Sequence, residues 1–311
     1  VSLRRARAAW ATRPERSNVA MLKLMSWISL RLGRPAGRGV LHLIAAYFLL
    51  FAPSARRASR AYLHRVLEQR PGLRASYRHI HSFAATIHDR IYLLNDRFDL
   101  FDLRIEGEAV MLDALADGRG ALLFGAHLGS FEVVRAIGRR HPQVRVALAM
   151  FPDNARRIGA ALDAINPAAR PDIIALGRMD AMLQVRERLL QGQFVGVLAD
   201  RTPGDEATRP VPVLGAEAPL PLGPLRMAAM LRSRVIFMAG LYLGGNRYAI
   251  RFAQIADFSD CSADAREVQI DAALHRYAAL IEDCCRQAPY NWFNFFDFWP
   301  ARPASPCADA C

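Results

Sequence analysis

Within "GALLFGAHLGSFE" (120–132), His127 stands five residues ahead of Glu132, directly after the apolar run 121–124. A histidine and a carboxylate in contact form a general-base pair. The carboxylate fixes the imidazole tautomer and stabilises the imidazolium, which leaves the other ring nitrogen to take a proton. Inside one helix the two residues would point about 140° apart, since each residue turns the helix by about 100°. They meet only if His127 occupies a turn and Glu132 the first turn of the helix that follows. Gly125 and Gly129 allow the bend, Ser130 suits an N-cap, and Phe131, Val134 and Ile137 begin a helical stripe. Glu132 would then be kept ionised by the helix dipole. The same spacing is compatible with a structural histidine and a surface glutamate, and spacing alone leaves both open.

The positions of these residues depend on the elements around them. Short apolar runs at 121–126, 144–150, 172–176, 194–200, 235–243 and 248–255 alternate with helical patterns at 131–140, 155–165, 180–191 and 223–232. That alternation predicts an α/β fold with a mixed, mostly parallel sheet flanked by helices. "GGNR" (244–247) between the last two runs predicts a hairpin, and so one antiparallel edge. Helices are expected over 55–100, broken at Pro71-Gly72, and over 264–287. In open α/β sheets the crevice at the strand ends is the usual ligand site, and His127 falls there.

Charge is unevenly placed. Residues 1–78 carry 16 Lys and Arg against Glu15 and Glu68, whereas the remainder is nearly balanced. Between those charges, "NVAMLKLMSWISLRLG" (18–33) sets Met21, Leu24, Met25, Ile28 and Leu32 at helical spacing, and "VLHLIAAYFLLFA" (40–52) is broken only by His42. Thirteen residues fall short of the ~20 needed to span a bilayer. We read residues 1–55 as a basic membrane-associated segment lying on an anionic leaflet, with a buried core helix as the alternative. We read residues 56–300 as the α/β domain and 301–311 as a tail. No nucleic-acid recognition motif accompanies the arginines, so nucleic acid is not expected as a partner. Cys261, Cys284, Cys285, Cys307 and Cys311 are odd in number and include no C-x-x-C pair, which indicates neither a disulfide framework nor a zinc site. His79, His81, His88 and Asp89 contain a His-x-His, but on a helix His79 and His81 diverge, and no metal is expected.

"HLGSFE" resembles the His-x4-Asp/Glu signature of glycerolipid-type acyltransferases, and its setting is similar to the late acyltransferases of lipid A biosynthesis. Residues 192–230, where a strand ends on Asp200 and a Pro/Gly-rich loop leads to a helix, resemble that family's second conserved stretch. "LMSWISLRLGR" (24–34) resembles its membrane-associated segment. The resemblance implies acyl transfer from acyl carrier protein to a hydroxyl of a glycolipid acceptor at the cytoplasmic face of the inner membrane, with no metal or cofactor. On that pattern His127 deprotonates the acceptor hydroxyl and Glu132 orients His127. Asp200 and Arg201 flank the site, and Arg226 opens a helix and could bind a phosphate. Asn154 and Arg156, just after a strand end, are candidate acceptor contacts.

Two features depart from the family pattern. Arg201 stands where Gln is usual, and the ending "APYNWFNFFDFW" (288–299) is more similar to acyltransferases associated with polyene pigment lipids. The second implies an alternative substrate, an aryl-polyene or polyketide-like acyl group, with Trp292, Phe293, Phe295 or Phe296 walling the acyl pocket. Core packing is the other reading of those rings. A non-enzymatic peripheral lipid-binding protein is the rival from another class.

Overall fold

The computed structural model describes residues 19–169, 171–201 and 206–299. Expectations for the basic residues 1–18 and for the tail with Cys307 and Cys311 lie outside the described residues.

Helix α1 (Val19–Phe51) is kinked at Gly33 (φ 82°, ψ 169°) just before Pro35, because Pro35 disfavours helical backbone before it and glycine accepts the left-handed φ. Helices α2 (Pro53–Val66) and α3 (Leu73–Leu94) follow, separated by the break around Pro71-Gly72. The α/β part runs β1 (Asp102–Glu106), α4 (Glu108–Ala116), β2 (Ala121–Gly125), a 3-10 turn (Glu132–Arg135), α5 (Ala136–Arg140), β3 (Val146–Met150) and α6 (Pro152–Ile165). It continues through β4 (Asp172–Ala175), α7 (Ala181–Leu190), β5 (Phe194–Leu198), β6 (Thr208–Val213), β7 (Ala216–Pro221), α8 (Gly223–Met230), β8 (Arg234–Tyr242), β9 (Arg247–Asp257) and α9 (Arg266–Gln287).

Seven strands form one sheet in the order β1-β9-β8-β2-β5-β3-β4. Every pairing is parallel except β8–β9. The expected hairpin is present but does not lie at an edge: β1, not foreseen from its short mixed pattern, pairs parallel to β9 outside it. The region between 206 and 222, expected as loop, is an antiparallel β6–β7 hairpin whose turn residues Leu214 and Gly215 both have positive φ. That matches the backbone twist two-residue hairpins prefer.

Period-two alternation splits the core. Leu122 and Phe124 of β2 join one cluster with α7, α8 and α9, while Ala121 and Leu123 join another with α3, α4 and the 3-10 turn. Continuous burial along β2 and β8 reflects helices on both faces. Helix α1 is fastened to this body by a buried ion-pair cluster. Arg34 (2.8 Å) and Arg38 (2.6 Å) converge on the fully buried Asp89 of α3, and Tyr248 of β9 donates its hydroxyl to the same carboxylate at 2.8 Å. The rest of α1 leaves Trp27, Leu32, Leu43, Leu50 and Phe51 mostly exposed. No single described helix is long and apolar enough to cross a membrane. Met25–Phe51 and Pro53–Val66 meet that test only together, across a 96° bend.

The histidines of α3 do not converge. His79 reaches Ser59, His81 stacks on His42, and His88 meets Ser29. Burial lowers the His79 pKa to about 4, against 6.5 unperturbed, and the hydrogen bond to the Trp292 carbonyl only partly offsets it. The unfolded chain therefore binds this proton at a pH where the folded chain does not, so the histidine opposes folding as pH falls from 6.5 toward 4. Wild type should lose up to about 3 kcal/mol across that window from this group. Urea unfolding at pH 7 and pH 4.5 should show a smaller acid loss in His79→Gln.

Candidate functional site

Strands β2 and β5 are parallel neighbours with Gly125 opposite Leu198. Two residues beyond each partner stand His127 and Asp200, so the sheet register itself sets these side chains together. His127 Nδ1 lies 2.7 Å from Asp200 Oδ1, and the His127 backbone N–H donates to Oδ2 at 3.1 Å. A carboxylate only accepts, so Nδ1 carries the proton and Nε2 presents its lone pair.

Glu132 does not make the contact with His127 expected of it. Gly129, at φ +60°, packs so closely on the Gly240 carbonyl that a Cβ has no room. Ser130 donates its backbone N–H to that carbonyl at 2.8 Å rather than capping a helix. The chain enters the 3-10 turn with Glu132 directed to α3, where Arg90 holds it at 2.6 Å and the Ser130 hydroxyl donates to it at 3.2 Å. His127 and Glu132 share a cavity without sharing a hydrogen bond.

The Asp200 carboxylate is fully buried and surrounded by donors. Besides His127, the Trp292 indole N–H and the Asn294 amide each donate to Oδ2 at 3.1 Å. Burial alone would raise its pKa, but His127, through its charge and hydrogen bonds, and the Arg201 guanidinium hold it well below the usual carboxylate range. Burial lowers the His127 pKa, Asp200 opposes that shift and Arg201 adds to it. The pair therefore rests as a neutral imidazole beside a carboxylate, the state a general base requires. Arg201 donates its Nε–H to His127 Nε2 at 3.1 Å, with its guanidinium 5.7 Å from the Phe296 ring centroid.

Trp292 and Asn294 belong to a strap that crosses the site. Its Asn291 carbonyl accepts from Gly129 N–H at 2.9 Å, and Phe293 N–H donates to the His127 carbonyl at 2.8 Å. The Asn291 amide bonds both backbone groups of Tyr242, at 2.7 and 2.9 Å. The sequence points to Trp292 only as a wall of an acyl pocket, not as a partner of Asp200, and does not point to Asn294 at all. The only hint was two asparagines flanking a tryptophan, polar groups that burial would force into hydrogen bonds.

His127, Glu132, Arg90 and Arg201 line a cavity of about 1130 Å³. Its wall is mainly aliphatic, with Leu123, Val134, Ile137, Val146, Leu148 and Leu162 among its residues. Asn154 lines it too, whereas Arg156 and Arg226 are exposed and do not. Nor do the rings at 292–299. Trp292, Phe298 and Trp299 pack together at the end of α9, and Phe293 and Phe295 lie against His79 and Phe83. Trp292, Phe293, Phe298 and Trp299 are buried, Phe295 and Phe296 half-buried. Burial pushes the Cys284 thiol up to about 11 and the Cys285 thiol well above its ordinary value, so neither supplies a thiolate nucleophile at neutral pH.

Comparison with curated proteins finds no match. A family model for bacterial lipid A biosynthesis acyltransferases matches residues 17–300, which takes in the N-terminal helices, both strand ends of the dyad and the strap. The chain belongs to the bacterial lipid A biosynthesis acyltransferase family.

Proposed function

We propose that this acyltransferase works at the cytoplasmic face of the inner membrane. It moves a fatty acyl group from the thioester of an acyl carrier protein to a hydroxyl of a membrane glycolipid. The observation that carries this reading is the His127–Asp200 contact of 2.7 Å at a large aliphatic cavity. That cavity lies slightly above the usual range for small-molecule sites, about 300–1,000 Å³, and suits a hydrocarbon chain.

In the proposed reaction the acceptor hydroxyl displaces Arg201 from His127 Nε2 and gives its proton to that nitrogen as its oxygen attacks the thioester carbonyl. Asp200 stabilises the imidazolium. The displaced guanidinium remains beside the developing oxyanion, where a fixed cation is effective. The tetrahedral intermediate collapses, the C–S bond breaks, and the imidazolium proton passes to the departing thiolate. The products are the acylated acceptor and the free thiol of the carrier, and no metal or cofactor is required. Glu132, held by Arg90 on the cavity wall, and Asn154 are proposed contacts for the polar head of the acceptor. The exposed apolar residues of α1, with Trp27 and Tyr47 suited to an interface, are proposed to rest in the leaflet.

The test supplies the purified full chain, in detergent, with a saturated acyl chain on acyl carrier protein and a lipid A precursor. Mass spectrometry should detect the acylated glycolipid. Hydrolysis of the thioester with no transfer to any lipid hydroxyl would overturn the reading.

A further inference from the structure

Behind the strap lies a second histidine that the proposed chemistry does not use. His79 of α3 is fully buried. Its Nε2 is 2.9 Å from the Trp292 carbonyl, and its Nδ1 is 2.9 Å from the Ser59 hydroxyl of α2. A carbonyl oxygen can only accept, so Nε2 carries the proton, and the Ser59 hydroxyl donates to Nδ1 of the neutral ring. Tyr62 and Phe295 surround the ring, with centroids at 5.3 and 4.7 Å. An apolar side chain would fill such a nest without the cost of desolvating an imidazole. What the histidine supplies is a donor aimed at one backbone carbonyl, that of the residue whose indole N–H points the other way, at Asp200 Oδ2.

We propose that His79 is a positioning residue for the transfer reaction. By holding the Trp292 carbonyl it aims the indole N–H at Asp200, and so sets how strongly Asp200 polarises His127. The relay runs from Ser59 through His79, Trp292 and Asp200 to His127, joining the N-terminal helices to the base. It rests on the reading of His127 and Asp200 as the catalytic pair. The charged and titratable groups facing the pair are Arg201 at Nε2, Glu132 with Arg90 and Glu206 along the cavity, and the buried Tyr277 and Cys285. When the indole N–H is lost or turned away, Asp200 Oδ2 keeps only two of the three donors that fix its plane against His127. The ring is aimed less well and transfer slows, while the less satisfied carboxylate draws the imidazolium proton more strongly. The His127 pKa then rises.

Transfer kinetics of the full chain, with the acyl carrier protein thioester and lipid acceptor, read this out in His79→Leu, His79→Gln, Trp292→Phe and the Leu–Phe double variant. Trp292→Phe and His79→Leu should each lower kcat about tenfold, the equivalent of about one hydrogen bond to a charged group. KM should stay within about twofold, and the acidic limb of kcat/KM should move to higher pH. His79→Gln, which keeps a donor, should recover most of the rate. Because His79 acts through the indole, the double variant should be no more than about twofold slower than Trp292→Phe alone.

A folded His79→Leu with wild-type kcat and acidic limb overturns the relay, as do effects that simply multiply in the double variant. If His79→Leu does not fold, Trp292→Phe decides: an unchanged rate and limb overturn the proposal, and the tenfold loss with the upward shift sustains it. His127→Ala separates the two claims. Full activity there removes the catalytic pair itself, whereas an inactive His127→Ala beside neutral Trp292→Phe and His79→Leu removes only the relay.

Discussion

Asp200→Asn should fold and lose about 10³–10⁴ of kcat, comparable with what the same change does to the buried aspartate of a serine-protease triad. The amide has one accepting and one donating atom, and both positions of Asp200 are committed. Oδ2 accepts from the His127 backbone, Trp292 and Asn294, so an NH₂ there would face three donors. The NH₂ is therefore driven to the Oδ1 position, 2.7 Å from His127 Nδ1. Nδ1 must then accept, the ring proton moves to Nε2, and the lone pair needed by the acceptor hydroxyl is gone. The charge that stabilises the imidazolium is lost as well. Glu132→Gln, which disturbs a pair with Arg90 instead, should chiefly raise KM for the acceptor and leave the pH dependence of kcat near wild type. Steady-state kinetics from pH 5 to 9 distinguish the two. An Asp200→Asn variant with near-normal kcat, or a Glu132→Gln variant with the larger loss, would return the orienting role to Glu132.

That exchange of carboxylates shows where the sequence stops informing. The strand–helix alternation was legible because apolar runs such as "ALLFG" and "FVGVL" are too short for helices and too continuous for half-exposed strands. His127 was legible as a histidine at a strand end. Asp200 was also visible at the end of its own strand, but nothing in the order of residues states that β2 and β5 are neighbours or that Gly125 pairs with Leu198. Spacing therefore favoured the carboxylate five residues away over one 73 residues away. The turn that parts His127 from Glu132 depends on Gly129 meeting Gly240, a contact with a strand more than a hundred residues later. The hairpin β6–β7 was hidden by the prolines at 210, 212, 219 and 221, which read as loop but sit in a two-stranded ribbon with open edges. The aromatic ending was legible as apolar, and its rings at 292, 293, 298 and 299 are buried. What it conceals is that the indole N–H of Trp292 and the amide of Asn294 find their partner in the Asp200 carboxylate, a use of polar atoms that hydropathy cannot register.

The most direct test of the whole account is the single-turnover rate of acyl transfer by His127→Ala. Truncation removes the nitrogen that takes the acceptor proton and the cation that Asp200 stabilises, while Asp200 keeps Trp292, Asn294 and the residue 127 backbone N–H as donors. The variant should therefore fold and bind its acyl donor. General-base catalysis is worth about 10²–10⁴-fold, and transfer should fall by that amount at every pH between 6 and 9. Transfer by folded His127→Ala within a few fold of wild type would contradict the account, whatever the other variants do.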